Sequence, residues 1–424
     1  MTLLFIMIAV FVVLTFTAKI PRGNALFLAG VVGALVGGYG VPFRDLVEGM
    51  FIFFDPLLIV ASALLFLRML EEAGALTVLR TIFLRMTQKS PAAFLIAIVI
   101  FLMLPGAMTG LSSSAVLTTG ALTAPLLLAL GLEKRKTGAL IALLAIYGMI
   151  APPINLPVMM LANGVDMPFI GFEKPLLLIT VVPAIVTAFG IAYPTLRRAL
   201  QARGTLLLPE FAEPITQRAL FSLLPLVVVA LLLVTIRIIP EKLPDPGVPA
   251  LFLLGTLLAV PFVPTGRKVA ATILAYRSTL PVAAILVGIG TFLQILALIG
   301  ARGDLVVTTL MLPKTYLPLA AAVVMPLFGA LSAFGSATVL GVPILLALLG
   351  KNEIVVGAAL SMFAGLGDMM PPTALAGTFA AEIVGESNYL TLLKPALPWL
   401  LVGVVWALAI LWYAQPVSRV LGMQ

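Results

Sequence analysis

Twice along this chain a proline pair interrupts an apolar stretch long enough to cross a bilayer. Residues 142–158 read ALLAIYGMIAPPINLPV and residues 361–377 read SMFAGLGDMMPPTALAG. Proline lacks an amide hydrogen and clashes with the preceding turn, and glycine gives up helix propensity. A helix must therefore break at Pro152 and Pro153, and again at Pro371 and Pro372. Broken backbone survives at bilayer depth only where protein or a water-lined cavity satisfies the freed polar groups. A chain of this kind has to fold around its own breaks.

Composition sets the environment of those breaks. The chain has 424 residues, 62% hydrophobic and 10% charged, against about 25% charged in soluble domains. Apolar runs recur from end to end, which predicts an all-α polytopic membrane protein. The first run, LLFIMIAVFVVLTF, has no basic region before it and no cleavage site, and reads as a first span rather than a signal peptide. The net charge of +8 comes from Lys and Arg in short loops between apolar runs. Membrane topology explains that placement better than nucleic acid does. Cys and His are both absent. Disulfides, thiolate chemistry, His-based catalysis and zinc or haem sites using those ligands are excluded. An intramembrane enzyme is a remote alternative, because general acid–base chemistry would have few players, and the chain is read as a non-enzyme.

The order of the runs repeats. Spans are expected at 3–18, 24–41 and 51–70, then an apolar stretch at 92–131 with a polar middle, a broken span at 137–165 and a span at 174–196. Residues 201–216 form a polar linker. The second half runs 219–238, 247–264, 278–299, a stretch with a polar middle at 315–349, a broken span at 354–383 and a span at 395–413. The domain organisation is therefore a first repeat, 1–200, and a second, 217–424. Scaffold spans lie within 1–50 and 217–264, and the hairpins and broken helices form the transport elements. TAPLLLALG at 123–131 matches GVPILLALLG at 341–350, and the polar middles GLSSSAV and GALSAFGSATV lie at nearly the same offset as the proline pairs.

Each stretch with a polar middle is either two full spans or one re-entrant hairpin. If both are hairpins, the loops near 19–22, 80–89, 133–136, 197–218, 267–277 and 394 share one side, with about twice the Lys and Arg of the other. The positive-inside rule places that side in the cytoplasm and both termini outside. The two halves then enter the membrane from opposite sides, an inverted repeat. Paired interrupted spans in such halves point to a substrate and ion site in a secondary carrier.

The residues at these positions carry suitable chemistry. A chain that reverses inside the membrane exposes carbonyls at one helix end and amides at the next, which attract cations and anions respectively. Ser112, Ser113 and Ser114 sit at the first expected tip, and Ser332, Ser336 and Thr338 at the second. Their hydroxyls suit helix capping or a hard cation. Gly110, Gly329 and Gly335 allow close backbone approach. Gly148 and Asn155 flank the first break; Gly365, Gly367 and Thr373 flank the second. Each break is expected to complete a cation site against its neighbouring tip. Asp368, three residues before the second proline pair, is costly in mid-membrane and should meet a cavity, Na⁺ or a donor, or take up a proton. Arg68 and Glu72 have the spacing of a helix-surface ion pair. No metal-ligand spacing is present.

GLSSSAV, IAPPINLP, GSATVLGVP and MMPPTALAG together carry a resemblance. The chain resembles the large membrane (permease) subunit of tripartite ATP-independent periplasmic (TRAP) transporters, in the ion transporter superfamily of elevator-type carriers. The resemblance implies a multi-pass protein of a bacterial or archaeal inner membrane. It implies symport of carboxylates, such as C4-dicarboxylates or sugar acids, with Na⁺ as coupling ion and no other cofactor. A transport domain would slide against a scaffold. A small four-helix membrane subunit and a periplasmic substrate-binding protein would complete the system. The Na⁺ sites it implies are Ser112, Ser113 and Ser114 with Gly148 and Asn155, and Gly335, Ser336 and Thr338 with Gly367 and Thr373. The family usually has no acid beside the second proline pair; Asp368 departs from it and joins the ion-binding set on its own chemistry, while Ser113, Asn155, Ser336 and Thr373 are the expected substrate contacts. A stand-alone Na⁺- or H⁺-coupled anion symporter of the same superfamily is the alternative.

Overall fold

The computed structural model describes residues 2–211, 214–238, 244–372 and 374–423. Ala212 and Glu213 of the expected linker, and Thr373 of the second expected site, lie outside the described residues. The first half folds as α1 (Thr2–Phe16), α2 (Arg22–Val36), α3 (Phe43–Phe51), α4 (Phe54–Glu72), α5 (Ala75–Thr87), α6 (Pro91–Thr109), α7 (Ser112–Ala129), α8 (Lys134–Ile150), α9 (Leu156–Asn163) and α10 (Glu173–Arg203). The second half follows as α11 (Leu224–Ile238), α12 (Val248–Ala259), α13 (Thr265–Leu298), α14 (Ala301–Leu310), α15 (Leu317–Gly329), α16 (Ala333–Ala347), α17 (Glu353–Leu366), α18 (Leu375–Val384), α19 (Leu390–Trp412) and α20 (Ala414–Val420). Among the described residues, six helices are long and apolar enough to cross a membrane, or seven if α3 and α4 are one span bent by 44°.

Both expected breaks are present. The α8 helix ends at Ile150 and α9 begins at Leu156; α17 ends at Leu366 and, after a single 3-10 turn, α18 begins at Leu375. Both proline pairs join through cis peptide bonds. Each stretch with a polar middle folds as two helices joined by a tight turn, and both arms of the first, α6 and α7, are long enough to cross a membrane. Gly110, at φ +68, takes the left-handed conformation that lets the chain leave α6 and turn back into α7. In the second hairpin Ser332 caps α16 by accepting from the Gly335 amide at 3.1 Å. The returning arms each contain one π turn, Val116–Gly120 and Ser336–Gly341.

The two halves show a similar order of helices, α1–α10 and α11–α19, with the pair α3 and α4 standing where the second half has the single α13. Gly74 and Gly300, both left-handed, open the paired connectors α5 and α14. Three sequence expectations need correction. The 80–89 segment is not a bare loop, because α5 runs to Thr87. Residues 267–277 are not a loop either, but the first turns of the 34-residue α13. Arg267, Lys268 and Arg277 do not stop the helix, since long basic side chains can extend toward water while the backbone continues. The third span begins earlier than residue 51, with α3, and bends before α4.

Buried side chains divide into two main clusters. One joins the hairpins, the broken helices, α10 and α19; the other joins α1, α2, α4, α12 and α13. Met108, Leu111, Ile154, Leu156 and Phe334 pack with the second cluster although their helices belong to the first. The hairpin tips and the first break are thus where the two packing units meet.

Candidate functional site

Each break packs on its own hairpin, and small residues make that possible. The backbone amide of Ile154, inside the first break, donates to the Ala107 carbonyl of α6 at 3.1 Å. A Cβ on Gly110 would lie 2.6 Å from Leu156 Cγ. At the second break a Cβ on Gly367 would collide with the backbone of Gly329 and Ala330. The two tips therefore sit at the depth of the breaks, halfway along the broken helices.

The side-chain bonds cross between the halves. Ser112, at the first tip, donates to Asp368 Oδ2 of the second break at 2.6 Å. Asn155, in the first break, donates to Ser361 Oγ of α17 at 2.9 Å and to the Ile150 carbonyl at 2.8 Å. Its Oδ1 accepts from the Val158 amide at 3.0 Å, capping α9. Asn155 thus closes both sides of the first break and ties it to the second broken helix. Ser336 donates to the Met325 carbonyl at 2.7 Å and Thr338 to Phe334 at 3.0 Å. Both hydroxyls spend their proton on backbone and keep lone pairs for another partner. Ser114 Oγ is buried with no hydrogen-bond partner among the described residues.

A cavity of about 400 Å³ lies between the two packing units. Ser112, Ser113 and Ser114 of the first tip, Ser332 of the second, and Asp368 all face it. Gly148, Asn155, Gly335, Ser336, Thr338 and Gly367 do not line it. The expected substrate contacts therefore separate: Ser113 reaches the cavity, whereas Asn155 and Ser336 lie behind it and Thr373 is outside the described residues.

The cavity also holds two cations that sequence reasoning assigned to loops or to a helix-end ion pair. Arg22, the first residue of α2, and Arg68, near the end of α4, both line it. The expected pairing of Arg68 with Glu72 is corrected: Arg68 bonds Glu71 at 2.7 Å, and Glu72 faces Arg267 at 3.4 Å. Arg68 also reaches Ser278 Oγ at 3.4 Å. Arg22 makes no hydrogen bond or direct ion pair among the described residues, and Asp368 lines the same cavity. The signal was present in the sequence: Arg22 follows Pro21 and directly opens an apolar run, so its side chain starts at the membrane edge. Only the fold reveals that this edge faces Asp368.

Two solved structures share this architecture. The YdaH transporter of Alcanivorax borkumensis matches with TM-score 0.62 at 18% identity, over 88% of this chain and 87% of its own. MtrF of Neisseria gonorrhoeae, linked to a class of antimetabolite efflux pumps, matches with TM-score 0.62 at 15% identity, over 92% and 94% of the respective chains. At such identities the likeness is one of fold. Comparison with curated proteins finds no match. Helix content, paired hairpins and broken spans around one cavity define the class, a multi-pass helical membrane transporter. Residues 1–415 match the family described as tripartite ATP-independent periplasmic transporter, DctM component. The chain belongs to that family.

Proposed function

We propose that this protein is the membrane permease of a secondary active transporter that imports a carboxylate-bearing organic solute by Na⁺-coupled alternating access. One observation carries the reading: both hairpin tips, Asp368 and the unpaired Arg22 line a single cavity. Arg22 is the anchor for the carboxylate, because guanidinium forms charge-assisted hydrogen bonds with it. Tip amides and the Ser113 hydroxyl complete the contact.

Na⁺ binds behind the cavity, where each tip meets its break. At the first, Ser114 brings a buried hydroxyl with no partner among the described residues. At the second, Ser336 and Thr338 donate to backbone carbonyls and keep oxygen lone pairs. The unit of hairpins, broken helices, α10 and α19 moves as a body against α1–α4 and α11–α13. Two separate hydrophobic cores meeting at the tips support that division. The Arg22 and Arg68 ends lie on the side with more Lys and Arg, so the cavity opens to the cytoplasm. The setting is a bacterial or archaeal inner membrane. The partners are a small four-helix membrane subunit and a periplasmic binding protein.

The test is uptake into proteoliposomes containing the permease with a small membrane subunit and a periplasmic binding protein from the same organism. Uptake should require an inward Na⁺ gradient and fall by about tenfold or more in Arg22→Gln, the loss of one charge-assisted hydrogen bond. Uptake unchanged when K⁺ replaces Na⁺ would remove the coupling claim. An Arg22→Gln carrier with wild-type affinity would remove the anchor.

A further inference from the structure

We propose that the transported solute is a zwitterion, a small amino-carboxylate with an apolar body, held between Arg22 and Asp368. The inference rests on the carboxylate reading above and adds the second charge. Three ionisable side chains, Arg22, Arg68 and Asp368, line the cavity. Arg68 is neutralised by Glu71 at 2.7 Å. Arg22 on the α2 wall and Asp368 at the second break remain, a base and an acid without a direct ion pair among the described residues. The cavity is therefore neutral overall but strongly polarised, positive at the scaffold and negative at the break.

A dicarboxylate in this space would set one of its charges against Asp368 without a counter-ion, and an unpaired charge in a desolvated site is strongly disfavoured. A simple amine would leave Arg22 unpaired in the same way. A solute with one carboxylate and one ammonium leaves nothing uncompensated. Hydrogen-bond inventory agrees. Ser112 donates to Asp368 Oδ2, so Oδ1 is the oxygen left to accept from an ammonium. Arg22 has all its donors for a carboxylate. Leu64, Leu111, Phe334 and Phe379 line much of the remainder and suit an aliphatic or aromatic body rather than a polyhydroxylated one.

The experiment measures calorimetric binding to the purified permease in nanodiscs containing Na⁺. The probes are leucine, phenylalanine, 4-methylpentanoate (leucine's skeleton without its amine), isopentylamine (without its carboxylate) and succinate. At least one amino acid should bind about tenfold or more tighter than each probe lacking a charge, and tighter than succinate, because each lost partner forfeits a charge-assisted bond. Asp368→Asn should erase the preference for leucine over 4-methylpentanoate, and Arg22→Gln the preference for leucine over isopentylamine. The wild-type ranking tests the proposal even if a variant fails to fold. Succinate or 4-methylpentanoate binding as tightly as the amino acids overturns the zwitterion while leaving the carboxylate carrier intact. Failure of both amino acids to bind overturns it as well. An Asp368→Asn permease with changed Na⁺ dependence and an unchanged probe ranking makes that acid an ion ligand and equally overturns it. Equal binding by the Arg22→Gln and wild-type permeases of every carboxylate that binds would instead strike at the underlying carboxylate reading.

Discussion

Asn155 shows how one side chain can hold a broken helix together. It caps α9, satisfies the last carbonyl region of α8 and bridges to Ser361 of the other broken helix. Asn155→Ala removes a cap worth about 1 kcal/mol. It also leaves the buried Ile150 carbonyl short of a donor, at about 1–3 kcal/mol. The melting midpoint in detergent should fall clearly, and an unchanged midpoint would mean that the break is held by packing alone. The sequence marked Asn155 as important but for ion and substrate contact, whereas its three hydrogen bonds brace the break. Residue type made the polar positions legible; the direction of each side chain was not, because that depends on which helix lies opposite. Arg22 is the clearest case. Its neighbours in sequence describe a short cytoplasmic loop, and its importance arises from Asp368, which lies in the other half of the chain.

At the scale of elements, the punctuation residues were the reliable signal. Proline pairs ended helices and Gly110 turned the first hairpin, because these act through local backbone geometry. Charged residues were a poorer guide to helix ends. Arg267 and Lys268 suggested a loop, yet α13 runs through them, since nothing in GRKVAATILAYRST interrupts hydrogen bonding after Gly266. The bend between α3 and α4 likewise has no glycine or proline at Ile52–Phe53 to announce it. Hairpin and break are joined by close backbone approach, which yields a paired test. A Cβ at Gly367 would strike the backbone of Gly329, which cannot rotate away, whereas at Gly266 nothing lies within 4 Å. Gly367→Ala should unseat the second hairpin and lower the melting midpoint markedly. Gly266→Ala should stay within about 1 kcal/mol of wild type, on the stabilising side. Equal effects would refute the tight contact between the second hairpin and its break.

Across the whole molecule, a repeated order of elements was readable from matched motifs, and the two halves of the chain show a similar succession of helices. What the sequence did not contain was the partition into two cores, because Leu and Ala look alike on either side of the interface. That partition turns a symmetric bundle into two bodies with a cavity between them. The central claim is that both tips face one compartment reached from one side of the membrane at a time. The chain has no native Cys, so single cysteines at Ser113 and Ser332 can be labelled with a membrane-impermeant maleimide against no background. In oriented vesicles both should react from the cytoplasmic side in the resting permease. Both should lose that reactivity together, and gain it from the opposite side, when the complete system is given Na⁺ and solute. Simultaneous reactivity from both sides, or two tips that respond independently, would contradict a carrier built around a shared, alternately exposed cavity.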